Sequence, residues 1–321
     1  MKTTLLILDQ QAEEYRKALE PSFPELNIRA AIDEAAADPF IEQAEILLAF
    51  GISEALAQRA ARLRWIQSLG TGVDWLLQLP SLGKDVLITS TRGIHGPQMS
   101  ETALLFMLAL CRDFPAIIRN QAKQAWKRWP AELLWRKTVG ILGLGTIGAE
   151  IAAKCKAFGM TVLGIDLVAK ELETVDCFHP VSDLLRVVRE IDFLIIVAPL
   201  TSLTRKLVNE KVISAMKPTV FLINLARGEI VDEEALIRAL QSGRIAGAAL
   251  DVFSQEPLPK DHPLWKMKNV IITPHLGGTS TTYVEQALPI ITENLRRYSA
   301  GQHHALINLV KDRSSGQPAG R

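Results

Sequence analysis

Arg227, Glu256 and His275 carry the side chains best suited to chemistry in this chain. Each stands at or just past the end of a short apolar run that reads as a buried strand: VFLINL (220–225), IAGAALDV (245–252) and NVIITPH (269–275). In an open parallel sheet the carboxyl ends of the strands border the ligand crevice. A guanidinium delivered there can grip an organic acid, and a carboxylate beside an imidazole favours its charged form and fixes its tautomer. Taken singly, each has a plain structural alternative. Arg227 could be a surface or salt-bridged arginine, Glu256 a solvated turn acid before proline, and His275 a satisfied structural histidine. Their order, each after a strand, favours a carboxylate clamp and a tuned proton donor.

Upstream, VGILGLGTIG (139–148) spaces Gly143, Gly145 and Gly148 as G-x-G-x-x-G between a strand-like run and the helix-like GAEIAAKCKAFG. The first glycine permits a tight turn, the second lets a pyrophosphate approach the backbone, and the third allows close helix–strand packing. Thr146 and Ile147 offer backbone N–H groups at the helix start, where an anion is favoured. Asp166 ends the next strand-like run, 18 residues after Gly148, near the ~20 expected for a ribose-binding acid. A carboxylate there accepts from a 2′-hydroxyl and repels a 2′-phosphate. Leu167, Val168, Ala169 and Lys170 follow with no arginine, which favours NAD over NADP.

These residues require a scaffold of alternating strands and helices, hence parallel α/β architecture. Five strand-like runs in the first third, TLLILD (4–9), LNIRAA (26–31), EILLAFG (45–51), LRWIQSLG (63–70) and DVLITST (85–91), predict a flavodoxin-like domain. MSETALLFMLALCRDFPAIIRNQAKQAW (99–126) reads as one long helix bent near Pro115, with a first half apolar enough to be buried on every side, between domains or against another subunit. The tryptophan-rich WKRWPAELLW (126–135) reads as an irregular arm. A second α/β series starts at Thr138, and TYVEQALPIITENLRRYSAG (282–301) reads as a closing helix.

The 321 residues are 48% hydrophobic and 22% charged with net charge +1, so composition gives no electrostatic case for nucleic acid or an anionic membrane. The apolar run in MKTTLLILDQ is too short for a signal peptide, and no stretch approaches a transmembrane span. Cys111, Cys155 and Cys177 lack metal-ligand spacing and read as buried free thiols in a reducing cytoplasm; no metal is expected.

Together the motifs resemble the D-isomer-specific 2-hydroxyacid dehydrogenases. The matching stretches run in order: SLGTGVDWL (68–76), TRGIHGPQMSE (91–101), VGILGLGTIG, VAPLTSLTRKLVNE (197–210), INLARGEIVDEEAL (223–236), GAALDVFSQEPLP (247–259) and ITPHLGG (272–278). The resemblance implies two Rossmann-like domains. A flavodoxin-like substrate domain would comprise 1–97 and 285–311, and an inserted doubly wound NAD-binding domain 98–284, with a disordered tail at 312–321. It makes Arg227 the anchor of substrate carboxylate and carbonyl, His275 the acid/base and Glu256 its partner. Backbone N–H groups of Gly70, Thr71, Gly72 and Val73 would also hold the carboxylate. Ala198, Pro199, Thr204, Leu225 and Ala226 would line the cofactor, as would Asp251, Gly277 and Gly278. Arg92 and His95 depart from the commoner family pattern; either could widen substrate contacts, but they read rather as surface or hinge residues.

The activity implied is reversible reduction of a small 2-keto acid with NADH, in a homodimer formed through the NAD-binding domain. Hinges are expected near 94–98 and 281–286. An NAD-sensing corepressor of the same fold and a phosphite dehydrogenase are the alternatives. The intact trio disfavours the first, while the second can share it.

Overall fold

The computed structural model describes residues 2–169 and 171–310. Lys170 and the tail 312–321, named above, lie outside the described residues. The chain divides into two compact units, one running to Ile94 and resuming at Ser280, the other spanning His95–Thr279. These cuts fall earlier than the 97/98 and 284/285 drawn from the sequence.

The first unit opens with β1 (Thr4–Leu8), α1 (Ala12–Leu19), β2 (Asn27–Ala31), α2 (Glu34–Ala37), β3 (Ile46–Ala49), α3 (Glu54–Arg59), β4 (Trp65–Ser68), α4 (Asp74–Leu77) and β5 (Leu87–Ser90). The strands form a parallel sheet in the order β2-β1-β3-β4-β5, the flavodoxin-like arrangement. A parallel sheet covered on both faces needs apolar residues on both, which explains continuous rather than alternating runs. In β1, Leu5 and Ile7 enter one core while Leu6 and Leu8 enter the opposite one.

The second unit carries α5 (Gly96–Cys111), α6 (Phe114–Ala122), β6 (Thr138–Leu142), α7 (Thr146–Ala157), β7 (Thr161–Asp166), β8 (Cys177–Pro180), α8 (Leu184–Val187), β9 (Phe193–Ile196), α9 (Glu210–Ala215), β10 (Phe221–Asn224), α10 (Glu233–Gln241), β11 (Gly247–Leu250) and β12 (Val270–Ile272). Its seven parallel strands run β12-β11-β10-β9-β6-β7-β8, a doubly wound sheet whose order reverses beside β6. Phe193 and Ile195 pack with α5 and α7 residues, whereas Leu194 and Ile196 face the core that includes α8, α9 and α10 residues. The chain then returns to the first unit with α11 (Tyr283–Ser299), which buries Val284, Ala287, Ile291 and Leu295 at helical spacing beside Leu5, Ile7 and Tyr15. Asn294 locks the return: its Nδ2 donates to Gln67 Oε1 at 2.9 Å and its Oδ1 accepts from the Ile307 N–H at 2.7 Å.

Three expectations need correction. The predicted long helix is two helices, because Asp113 takes a left-handed φ of 46° and caps the second through the Ala116 N–H. Pro115 therefore sits in the first turn of α6, where its missing N–H is harmless. Helix α5 leaves Leu105 60% exposed in the single chain. The run CFHP forms a strand that the sequence reading missed, its apolar pattern masked by proline and by Cys177, which is exposed rather than buried. Among the described residues no helix is long and apolar enough to cross a membrane.

Candidate active site

Arg227 lies three residues past β10 on a turn that Asn224 builds from within. The buried Asn224 amide donates to the Arg227 carbonyl at 2.9 Å, and its oxygen accepts from the Ala226 N–H at 3.1 Å. The half-buried guanidinium donates to the Ala226 carbonyl at 2.7 Å. Gly228 is required for a reason other than turn freedom. A Cβ there would stand 1.9 Å from the Phe253 carbonyl carbon, so the loop after β11 crosses directly over it.

That crossing loop carries Glu256. One carboxylate oxygen accepts from the Phe253 N–H at 2.9 Å, and the other meets His275 Nδ1 at 2.8 Å. Burial pushes the Glu256 carboxyl upward, but the bonds from His275 and the Phe253 N–H, with the charges of His275 and Arg227, outweigh it. The group therefore stays below its ordinary value, as a carboxylate. A carboxylate has no proton to give, so Nδ1–H donates and Nε2 is left as the working atom of the ring. The Arg227 charge also favours the Glu256 carboxylate, as a site shared by the three predicted residues requires. Imidazole and carboxylate form the polar edge of a largely apolar pocket of about 500 Å³, walled by Phe253, Pro257, Leu258, Trp265, Ile272 and Pro274.

His275 takes a φ of 55°, unusual for a residue other than glycine. Asp251 holds it there. This buried carboxylate accepts from the Leu276 and Gly277 N–H groups, both at 2.8 Å, and from the Thr273 hydroxyl, while the Asp251 carbonyl accepts from the His275 N–H at 2.9 Å. Of the two glycines that follow in this loop, Gly277 has a reason inside the fold, whereas Gly278 has room for a Cβ in ordinary contact. A Cβ on Gly277 would lie 2.8 Å from Asp251 Oδ2, and one on Gly278 3.4 Å from the His95 ring.

The glycine loop sits at the topological switch point. Gly143 has a φ of +104°, and a Cβ on it would strike the Ala198 nitrogen at 2.6 Å; one on Gly148 would lie 2.0 Å from the Gly143 carbonyl oxygen. Gly145 differs, because a Cβ there would meet nothing within 4 Å. Two glycines are thus needed for packing and the third leaves open space at the amino end of α7, beside exposed Thr146 and half-buried Ile147. Asp166, at the end of β7, accepts from the Leu144 N–H at 2.9 Å and the Leu167 N–H at 2.7 Å. A carboxylate at this strand end is of the type that accepts from a ribose hydroxyl. The cradle fits a dinucleotide.

Residues 104–277 match the NAD-binding domain of the D-isomer specific 2-hydroxyacid dehydrogenases. The chain belongs to that family. It is 31% identical over 304 residues to a D-3-phosphoglycerate dehydrogenase of Methanocaldococcus jannaschii, covering 93% of this chain but only 58% of that relative. It is 32% identical over 313 residues to glyoxylate/hydroxypyruvate reductase B of Pectobacterium atrosepticum, covering 94% and 96% of the two chains. Among solved structures, a D-isomer specific 2-hydroxyacid dehydrogenase of Xanthobacter autotrophicus Py2, in complex with NADPH and MES, superposes with a TM-score of 0.80 at 34% identity, over 94% and 96%. The second unit is therefore an NAD(P)-binding domain.

The other family-implied positions are placed unevenly. Ala198, Leu225 and Ala226 are buried at the ends of β9 and β10, and Pro199 is exposed. The Thr204 hydroxyl is turned onto the Pro199 carbonyl at 2.7 Å, inside its own loop. In the first unit, Gly70, Thr71 and Gly72 are half-buried after β4, Val73 is buried, and the Gly70 N–H donates to Ser68 Oγ at 3.2 Å. His95 is buried at the start of α5, not a surface residue, and burial pushes its imidazole down to about 4. Arg92 is half-buried, and its carbonyl accepts from Asn308 Nδ2 at 2.8 Å. Sequence reasoning missed Asn224 and the positioning task of Asp251. The available signal was a polar side chain closing each of two otherwise apolar strands.

Proposed function

We propose that this chain is an NAD-dependent D-2-hydroxyacid dehydrogenase that reduces small 2-keto acids. The observation that carries the reading is the ionised Glu256 bonded to His275 Nδ1 at 2.8 Å, with the Arg227 charge beside it, in a unit that also holds the glycine cradle. The cofactor, when bound, supplies the hydride to C2 of the keto acid. Arg227 grips the carboxylate and draws electron density toward the carbonyl oxygen. His275 gives the Nε2 proton to that oxygen, and Glu256 supports the cationic ring before the transfer. In the oxidative direction the same nitrogen takes the proton back.

Asp166 supports NAD over NADP, because its charge opposes a 2′-phosphate and exposed Leu167 and Val168 follow it. Glyoxylate and hydroxypyruvate, named for the Pectobacterium relative, are the first substrates to try. The donors expected at Gly70–Val73 rest on the family resemblance. We also propose a cytoplasmic homodimer formed through the second unit. Helix α6 buries none of its residues, and Phe114, Ile117, Ile118, Trp126 and Trp135 leave an extensive apolar surface in the single chain.

The test is a kinetic panel of glyoxylate, hydroxypyruvate, pyruvate and larger keto acids with NADH and NADPH. Turnover that prefers NADH and falls at least a hundredfold in His275→Gln is expected. Near-normal turnover by His275→Gln would remove the assigned proton donor. Tight NADH binding with no turnover on any acid would point to a sensing role instead.

A further inference from the structure

The segment 70–73 is entered through two peptide groups whose orientation is set by residues far away in sequence. The Leu69 carbonyl accepts two hydroxyls, from Thr91 Oγ1 at 2.5 Å and from Tyr283 at the start of α11. These hydroxyls lie 3.5 Å apart, and both residues are buried. The Thr91 N–H donates to the Gly70 carbonyl at 3.3 Å. The Tyr283 ring packs against Phe50, with centroids 5.4 Å apart, and Phe50 Cδ1 lies 3.7 Å from where a Gly70 Cβ would stand.

A peptide group is a rigid plane with its C=O and N–H pointing in opposite directions. Pinning the Leu69 oxygen therefore pins the Gly70 N–H, which donates to Ser68 Oγ at 3.2 Å, and pinning the Gly70 oxygen pins the Thr71 N–H, the next donor along the segment. Two lone pairs on the Leu69 oxygen meet two hydroxyl donors, which leaves this peptide little freedom to rotate. Glycines at 70 and 72 would otherwise make the segment mobile.

We propose that Tyr283 and Thr91 are positioning residues that hold the 70–73 segment in the orientation that binds the substrate carboxylate. This rests on the reading that the segment's N–H groups contact that carboxylate. Burial drives the Tyr283 phenol well above its ordinary pKa, outweighing the Thr91 bond, so it remains a donor at every working pH.

Tyr283→Phe deletes the hydroxyl and keeps the ring on Phe50. The expected result is a rise of about tenfold in keto-acid KM, with kcat and the NADH KM within twofold of wild type. The KM change should be the same at pH 6 and pH 8. Amide exchange over residues 69–73, read by mass spectrometry on the full chain, should quicken without keto acid present. Thr91→Val should act alike, and Thr91→Ser should restore the wild-type values. Unchanged exchange in Tyr283→Phe, or a KM increase shared equally by NADH, overturns the proposal. Because exchange needs no turnover, a wild-type protein inactive on every keto acid would defeat the functional reading while the positioning of the loop is still measured.

Discussion

Gly145→Ala separates cofactor binding from folding. Gly145 has φ −71° and ψ −166°, an extended conformation open to any residue, and a Cβ there meets nothing within 4 Å. Alanine restricts the unfolded chain, stabilising the fold by about 0.4–1 kcal/mol. It is also a poorer N-cap than glycine, by roughly 0.5–1 kcal/mol. The two nearly cancel, and for a unit of this size the melting temperature should move by less than about 3 °C. Binding should respond differently. The methyl would occupy the space through which a pyrophosphate reaches the amino end of α7. Losing one charge-assisted bond to a backbone N–H costs about 2 kcal/mol, or roughly thirtyfold in NADH affinity. Calorimetric titration with NADH, run beside thermal melts, reads both quantities. Gly148→Ala is the contrast: its Cβ would sit 2.0 Å from the Gly143 carbonyl oxygen, so it should lose stability outright. A folded Gly145→Ala that binds NADH within threefold of wild type would refute the reasoning.

Three further outcomes follow from the same geometry. Glu256→Gln keeps the side-chain shape but removes the charge facing His275 Nδ1. Keto-acid reduction should then slow by about tenfold or more, and unchanged turnover would count against it. The sign for wild type is consistent: the Glu256 carboxyl lies below its ordinary value, so its support is present at neutral pH and lost only as pH falls through that depressed value. Arg227→Lys preserves charge and loses the planar fork, so keto-acid KM should rise about tenfold to a hundredfold while NADH affinity is retained, as steady-state kinetics and titration would show. Ile118→Asp, on the exposed face of α6, should turn a dimer into a monomer in sedimentation at micromolar concentration; a monomeric wild type would remove the basis for this.

Long apolar strands declared themselves in the sequence because a sheet covered on both faces demands them, so β1, β6 and β9 needed little more than hydropathy. The break between α5 and α6 was hidden because Asp113 in a left-handed conformation looks like any polar helix residue, whereas Pro115, the visible suspect, is compatible with a first turn. Strand β8 was hidden because an edge strand needs few apolar side chains. At the site, residue identity indicated chemistry but not partnership. Glu256 and His275 are 19 positions apart, and only their place at adjacent strand ends made a bond between them an expectation. Asn224 stayed unread, and Asp251 suggested only a cofactor contact, because their partners are mainly backbone groups, which leave no mark in a sequence.

The glycines define how the candidate site is assembled. Gly228 exists so that the Phe253–Ser254 backbone can cross the turn bearing Arg227, and Gly277 so that Asp251 can reach under the loop bearing His275. The loops after β10, β11 and β12 are therefore pressed together at points where no Cβ fits. This helps to fix the loops that carry the three exposed or half-exposed side chains. Asp251 links two of these loops directly, since its carbonyl accepts from the His275 N–H and its carboxylate from Leu276 and Gly277. A methyl at 228 or 277 would touch backbone or Asp251, not substrate, yet it would have to move Glu256 or His275. The chemistry of the trio is set as much by these excluded atoms as by the three side chains that perform it.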